Sequence, residues 1–107
     1  MEIAPQSPAD WQGARWIDDG RPLPTRDEDF YQPDPAPLLR REFEISKPVV
    51  RARLHLAGLG FCLPSLNGKR LKDPVLDPPW TAFDKRILFR THDVTGGLAK
   101  GKNCLGL

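Results

Sequence analysis

A chain of 107 residues, 39% hydrophobic and 28% charged, has the length of one small domain and no room for a large catalytic barrel beside it. Sixteen basic residues against fourteen acidic ones leave a formal net charge of +2, too near balance for nucleic-acid binding by bulk charge. Twelve prolines and nine glycines interrupt helices and argue against a helical bundle.

The first stretch, residues 1–37, holds eight acids against three arginines, a net of −5, while the remainder has thirteen bases against six acids and carries +7. Seven of the twelve prolines also fall in this stretch, and no hydrophobic period survives there, so it reads as an extended acidic leader. Its anchors are Trp11 and Trp16, with Ile17, because a docked indole covers ~150–250 Å² of surface. The start, Met1-Glu2-Ile3-Ala4-Pro5, has neither the basic residues nor the apolar run of a secretory signal. No apolar run approaches the ~20 residues of a membrane span, so a cytoplasmic location without membrane contact is expected. Such a compartment disfavours a disulfide between Cys62 and Cys104, and two cysteines fit no tetrahedral metal spacing.

From residue 38 the pattern turns to period two, the mark of half-buried strands. In Leu39-Arg40-Arg41-Glu42-Phe43-Glu44-Ile45 the even positions 40, 42 and 44 are charged, while Leu39, Phe43 and Ile45 are apolar. Lys47-Pro48 breaks the run as a turn would. Next, Val50, Ala52, Leu54 and Leu56 alternate with Arg51, Arg53 and His55, giving one core face and one wet face. Pro64 cannot donate to a ladder, so its segment is expected at a sheet edge or a bulge. Leu66-Asn67-Gly68-Lys69 then supplies the Asn-Gly pair that a two-residue hairpin needs at its positive-φ positions. Asp77-Pro78-Pro79-Trp80 reads as a loop, and Ile87, Phe89 and Thr91 alternate with Arg86, Leu88, Arg90 and His92 in a further strand. After Asp93-Val94-Thr95 and Gly96-Gly97, one helical turn closed by Gly101 precedes a last strand at Asn103-Cys104-Leu105. Short strands separated by turn chemistry imply an all-β fold, an antiparallel β-sandwich over residues 38–107.

Several of these segments, in this order and spacing, resemble the N-terminal β-sandwich domain of bacterial α-L-rhamnosidases. They are Leu38-Leu39-Arg40-Arg41-Glu42-Phe43, Ala57-Gly58-Leu59-Gly60-Phe61, Leu66-Asn67-Gly68-Lys69-Arg70, Val75-Leu76-Asp77-Pro78, Trp80-Thr81, Asp93-Val94-Thr95 and Gly101-Lys102-Asn103. The resemblance implies a jelly-roll, galactose-binding-like sandwich that acts as an accessory, non-catalytic domain. In such enzymes an (α/α)6 barrel absent from this chain supplies an inverting carboxylate pair, ~6.5–9.5 Å apart, for hydrolysis of terminal α-L-rhamnosides. Two departures stand out: Cys62-Leu63-Pro64-Ser65 replaces the family's aromatic and acidic strand, and Leu105-Gly106-Leu107 ends where the family runs on. An incomplete sandwich, partnered by the other domains of a parent rhamnosidase, is the expectation.

No catalytic, cofactor-binding or metal-binding residue is assigned. Asp73, Asp77, Asp84 and Asp93 read as solvated turn residues or caps, the simpler alternative to a carboxylate pair. His55 between arginines and His92 near a strand end read as surface histidines, with no third group at catalytic spacing. Arg51, Arg53, Lys69, Arg70, Lys72, Lys85, Arg86 and Arg90 read as a solvated face rather than a nucleic-acid groove. Trp80 has two readings: a plug at the end of the sandwich, or a platform on which a rhamnose-containing glycoside stacks. A stand-alone carbohydrate-binding module is therefore the alternative function.

Overall fold

Asn-Gly is the most compact turn chemistry in the chain, and in the computed structural model, which describes residues 3–71 and 78–107, Asn67 has φ 51° and Gly68 φ 79°. Both central residues are left-handed, the backbone a two-residue hairpin demands. The turn joins β3 (Ser65–Leu66) to β4 (Lys69–Arg70), with Leu66 opposite Lys69. The other strands are β1 (Arg40–Ile45), β2 (Arg53–Ala57), β5 (Phe89–Asp93) and β6 (Gly101–Gly106). They form two antiparallel sheets, one ordered β1-β6-β3-β4 and the other β2-β5. Among the described residues none lies in an α-helix, and no helix is long and apolar enough to cross a membrane. The all-β, antiparallel expectation is met.

The chain divides into two compact units, Met1–Leu39 and Arg40–Leu107. In the first, charged side chains pair locally. Asp10 accepts hydrogen bonds from the backbone N–H of Gln6 and Ser7 and from the Ser7 hydroxyl, which frames a short 3-10 turn at Pro8–Trp11. Those donors hold the Asp10 carboxyl below its usual range. Arg26 grips both oxygens of Asp29 across a second 3-10 turn, Asp27–Tyr31. Arg21 bridges Asp19, Asp34 and the carbonyl of Pro35.

In the second unit the alternation in β1 survives: Arg40, Glu42 and Glu44 share one face, while Phe43 and Ile45 share the other with Arg41. Phe43 of β1, Leu66 of β3 and Leu105 of β6 meet Ala52, Leu54, Val94 and Leu98 around an apolar hollow of about 190 Å³ that draws on both sheets. Burial is sparse: among the described residues only Pro64, Leu66, Pro78, Val94 and Asn103 are buried.

Four local expectations are corrected. Val50 is 90% exposed in the β1–β2 connection, not part of a core face, since pairing begins only at Arg53. The strand expected from Arg86 starts at Phe89, because Lys85 and Arg86 donate to the Ala82 carbonyl in a turn that the Thr81 hydroxyl closes onto Arg86. Pro64 belongs to no edge strand: it precedes β3, which lies between β6 and β4, so its missing N–H falls outside the ladder while its carbonyl accepts from Leu71. Gly101 does not close a helical turn. A 3-10 turn at Thr95–Gly97 comes earlier, and Gly101, at φ 96°, opens β6.

Candidate functional site

Residues 58–63 and 80–88 hold most of the exposed large apolar side chains of the second unit, and three of their aromatic rings meet. Gly58 permits the tight fold of the first segment, where a Cβ would stand 3.0 Å from the Gly60 carbonyl oxygen and 3.4 Å from the Cys62 sulfur. Phe61 emerges half exposed and meets Trp80 edge to face, at 6.0 Å between ring centroids and 64° between planes. On its other side Trp80 lies 5.4 Å from Phe83, tilted by 38°. Both separations fall in the range of favourable aromatic pairs. Trp80 remains 70% exposed, so it plugs no end of the sheets. Leu59 and Leu63 are exposed beside Phe61 in sequence, and Ile87 and Leu88 follow Phe83. Asp77 lies outside the described residues, while Pro78, Pro79 and Trp80 lie in no helix or strand, as expected of a loop; the pairing of Trp80 with Phe61, nineteen positions earlier, was not legible in sequence.

The titratable candidates are dispersed. Asp93 lies 2.9 Å from the Arg53 guanidinium and accepts from the Thr95 backbone N–H two residues on, just ahead of the 3-10 turn. Hydrogen bonds from the Thr95 hydroxyl and N–H, then the charge of Arg53, hold its carboxyl below the usual range. That is the opposite of the raised pKa a general acid needs. His55 Nδ1 is hydrogen-bonded to the Thr91 hydroxyl at 2.8 Å, and its ring meets Phe89 edge-on. His92 is half-buried and shares the face of its partner Leu54. Asp84 is exposed, and Asp73, Asp77 and Lys72 lie outside the described residues. Among the described residues no group of three His, Cys, Asp or Glu side chains could hold a metal, and both cysteines are thiols.

The scattered basic residues converge in part. Lys69 and Arg70 from the hairpin and Arg90 from β5 line one open cleft of about 620 Å³, together with His92 and Asp93. Sequence spacing hides this, since the hairpin and β5 are far apart in the chain.

The pairing of Asp93 with Arg53 has a measurable signature. A carboxyl whose folded pKa is lowered stabilises the fold above its ordinary value near ~3.9, and that contribution is lost as pH falls through the folded value. The urea midpoint should therefore fall as the pH drops below about 4, and less steeply in Asp93→Asn. Equal acid sensitivity in the two proteins would contradict the assignment.

Residues 47–107 match the family described as the α-L-rhamnosidase N-terminal domain. An α-L-rhamnosidase of Formosa agariphila is 32% identical over 115 aligned residues, covering 100% of this chain and 12% of that protein. One of Streptomyces avermitilis is 43% identical over 68 residues, covering 63% of this chain and 7% of its own length. Among solved structures, the α-L-rhamnosidase from Dictyoglumus thermophilum superposes with a TM-score of 0.62 at 43% identity, over 64% of this chain and 8% of that one. The Aspergillus terreus enzyme gives 0.60 at 36% identity over the same share of each. The chain thus spans between 7% and 12% of the length of these relatives. With the matched segment covering β2 through β6 and more than half of the chain, the chain belongs to the N-terminal domain family of α-L-rhamnosidases.

Proposed function

We propose that this chain is a non-catalytic accessory domain of an α-L-rhamnosidase, which packs against the other domains of the parent enzyme through its aromatic face. Hydrolysis of terminal α-L-rhamnosides then falls to an inverting carboxylate pair in an (α/α)6 barrel of that enzyme. The supporting observation is the Phe61–Trp80–Phe83 cluster, which leaves a large apolar surface in water, as docking faces do. The two thiols fit a reducing cytoplasm. Incubated with an aryl α-L-rhamnoside, the chain is expected to give no turnover above a heat-denatured control; measurable turnover would overturn the reading.

A second reading, a stand-alone carbohydrate-binding module, is favoured by the 70% exposure of the Trp80 indole, a face on which a sugar ring can stack. Titration with L-rhamnose followed by tryptophan fluorescence separates the two. The accessory role predicts no saturable change, whereas saturable quenching that Trp80→Ala abolishes would establish the binding module.

A further inference from the structure

The hairpin turn that sets the register of β3 and β4 is also a chemically labile bond pair. In any Asn-Gly sequence the glycine nitrogen, with no side chain beside it, can attack the asparagine side-chain carbonyl. The new N–C bond closes a succinimide and ammonia leaves with the amide nitrogen; water then opens the ring to aspartate or isoaspartate. Closure requires the side-chain amide to rotate onto the following nitrogen. In this fold both ends of the Asn67 amide are held. Its Oδ1 accepts the Cys104 N–H at 2.8 Å, and its Nδ2 donates to the Gly97 carbonyl and to Asn103 Oδ1, both at 2.9 Å.

We propose that Asn67 is a conformationally gated deamidation site: its three hydrogen bonds suppress the reaction while the hairpin is closed, and opening of the hairpin starts an irreversible change that prevents its return. The gate follows from the bonds just described, which must break together before the amide can turn. The irreversibility follows from what replaces the amide. An aspartate at 67 would place a carboxylate oxygen, which cannot donate, against the Gly97 carbonyl and Asn103 Oδ1. Asn103 cannot turn its own amide to compensate, because its Oδ1 also accepts from the Ala99 N–H and its Nδ2 donates to the carbonyls of Ala99 and Gly101. Isoaspartate would go further, adding a backbone carbon to a two-residue turn whose φ values of 51° and 79° fix the pairing of Leu66 with Lys69. The exposure of Asn67 leaves water available for ring opening.

The test compares the native chain in mildly alkaline buffer with the same chain in concentrated urea, following conversion at Asn67 by peptide mass and isoaspartate by enzymatic methylation. Conversion in urea is expected to be at least roughly tenfold faster than in buffer, the ratio set by the closed hairpin. Equal rates would overturn the proposal. A second measurement addresses irreversibility: Asn67→Asp, which mimics the product, is expected to lower the urea midpoint relative to the native chain, and an unchanged midpoint would overturn that half of the proposal.

Discussion

Replacing Asn103 by alanine is expected to lower the thermal midpoint of the second unit by roughly 12–24 °C, the shift that ~3 kcal/mol produces in a domain of this size. Asn103 is 3% exposed and makes four side-chain hydrogen bonds. Oδ1 accepts from the Ala99 N–H at 2.9 Å and from Asn67, and Nδ2 donates to the carbonyls of Ala99 at 2.7 Å and Gly101 at 3.0 Å. Each such bond contributes ~1 kcal/mol net, and a group left buried without a partner costs more. The loss also removes one of the three side-chain hydrogen bonds of Asn67, so it weakens the hairpin together with the loop ahead of β6. Asn103→Asp keeps the acceptor but sets a buried carboxylate oxygen against the carbonyls of Ala99 and Gly101, so it should recover none of the deficit. Circular dichroism melts of the three proteins measure this, and an alanine variant within ~0.5 kcal/mol of the parent would refute the network's role.

Truncating Leu66 to alanine is expected to cost ~2–4 kcal/mol, the usual range for a buried leucine. Leu66 is 5% exposed, sits opposite Leu105 in the β3–β6 ladder and lines the shared hollow. Its Cδ2 lies 3.0 Å from the position a Cβ on Gly97 would occupy, so it also packs against the 3-10 turn. The truncation enlarges an apolar hollow that already measures about 190 Å³, and few other buried side chains share the load. Leu66→Met, which conserves volume, should cost less than ~1.5 kcal/mol. Urea titrations should show the alanine midpoint well below the methionine one; coincident midpoints would mean that Leu66 is not a core residue. Leu66 adjoins Asn67, which bonds Asn103, so the two alanine substitutions should combine non-additively.

Where the governing interaction is local, the residues themselves decided the structure. Charges at 40, 42 and 44 put one face of β1 in water, and Asn67-Gly68 forced a tight reversal because those residues tolerate positive φ. Proline density kept helices out, and the order of segments from Ala57-Gly58-Leu59 to Asn103 carried the family. Interactions between distant segments were decided only by the tertiary structure. The register of β2 on β5 placed His92 and Arg90 on the face of Leu54 and Leu56, where alternation along one strand had placed them in water. Val50 continues the period of its neighbours and is nonetheless exposed, because alternation says which face a residue takes and not where pairing begins. Likewise Asn103 becomes the buried centre of a polar network, and Trp80 the middle of an exposed aromatic cluster, through partners remote in sequence. Periodicity and turn chemistry are properties of neighbouring residues, whereas register, burial and side-chain networks depend on which strands meet in space.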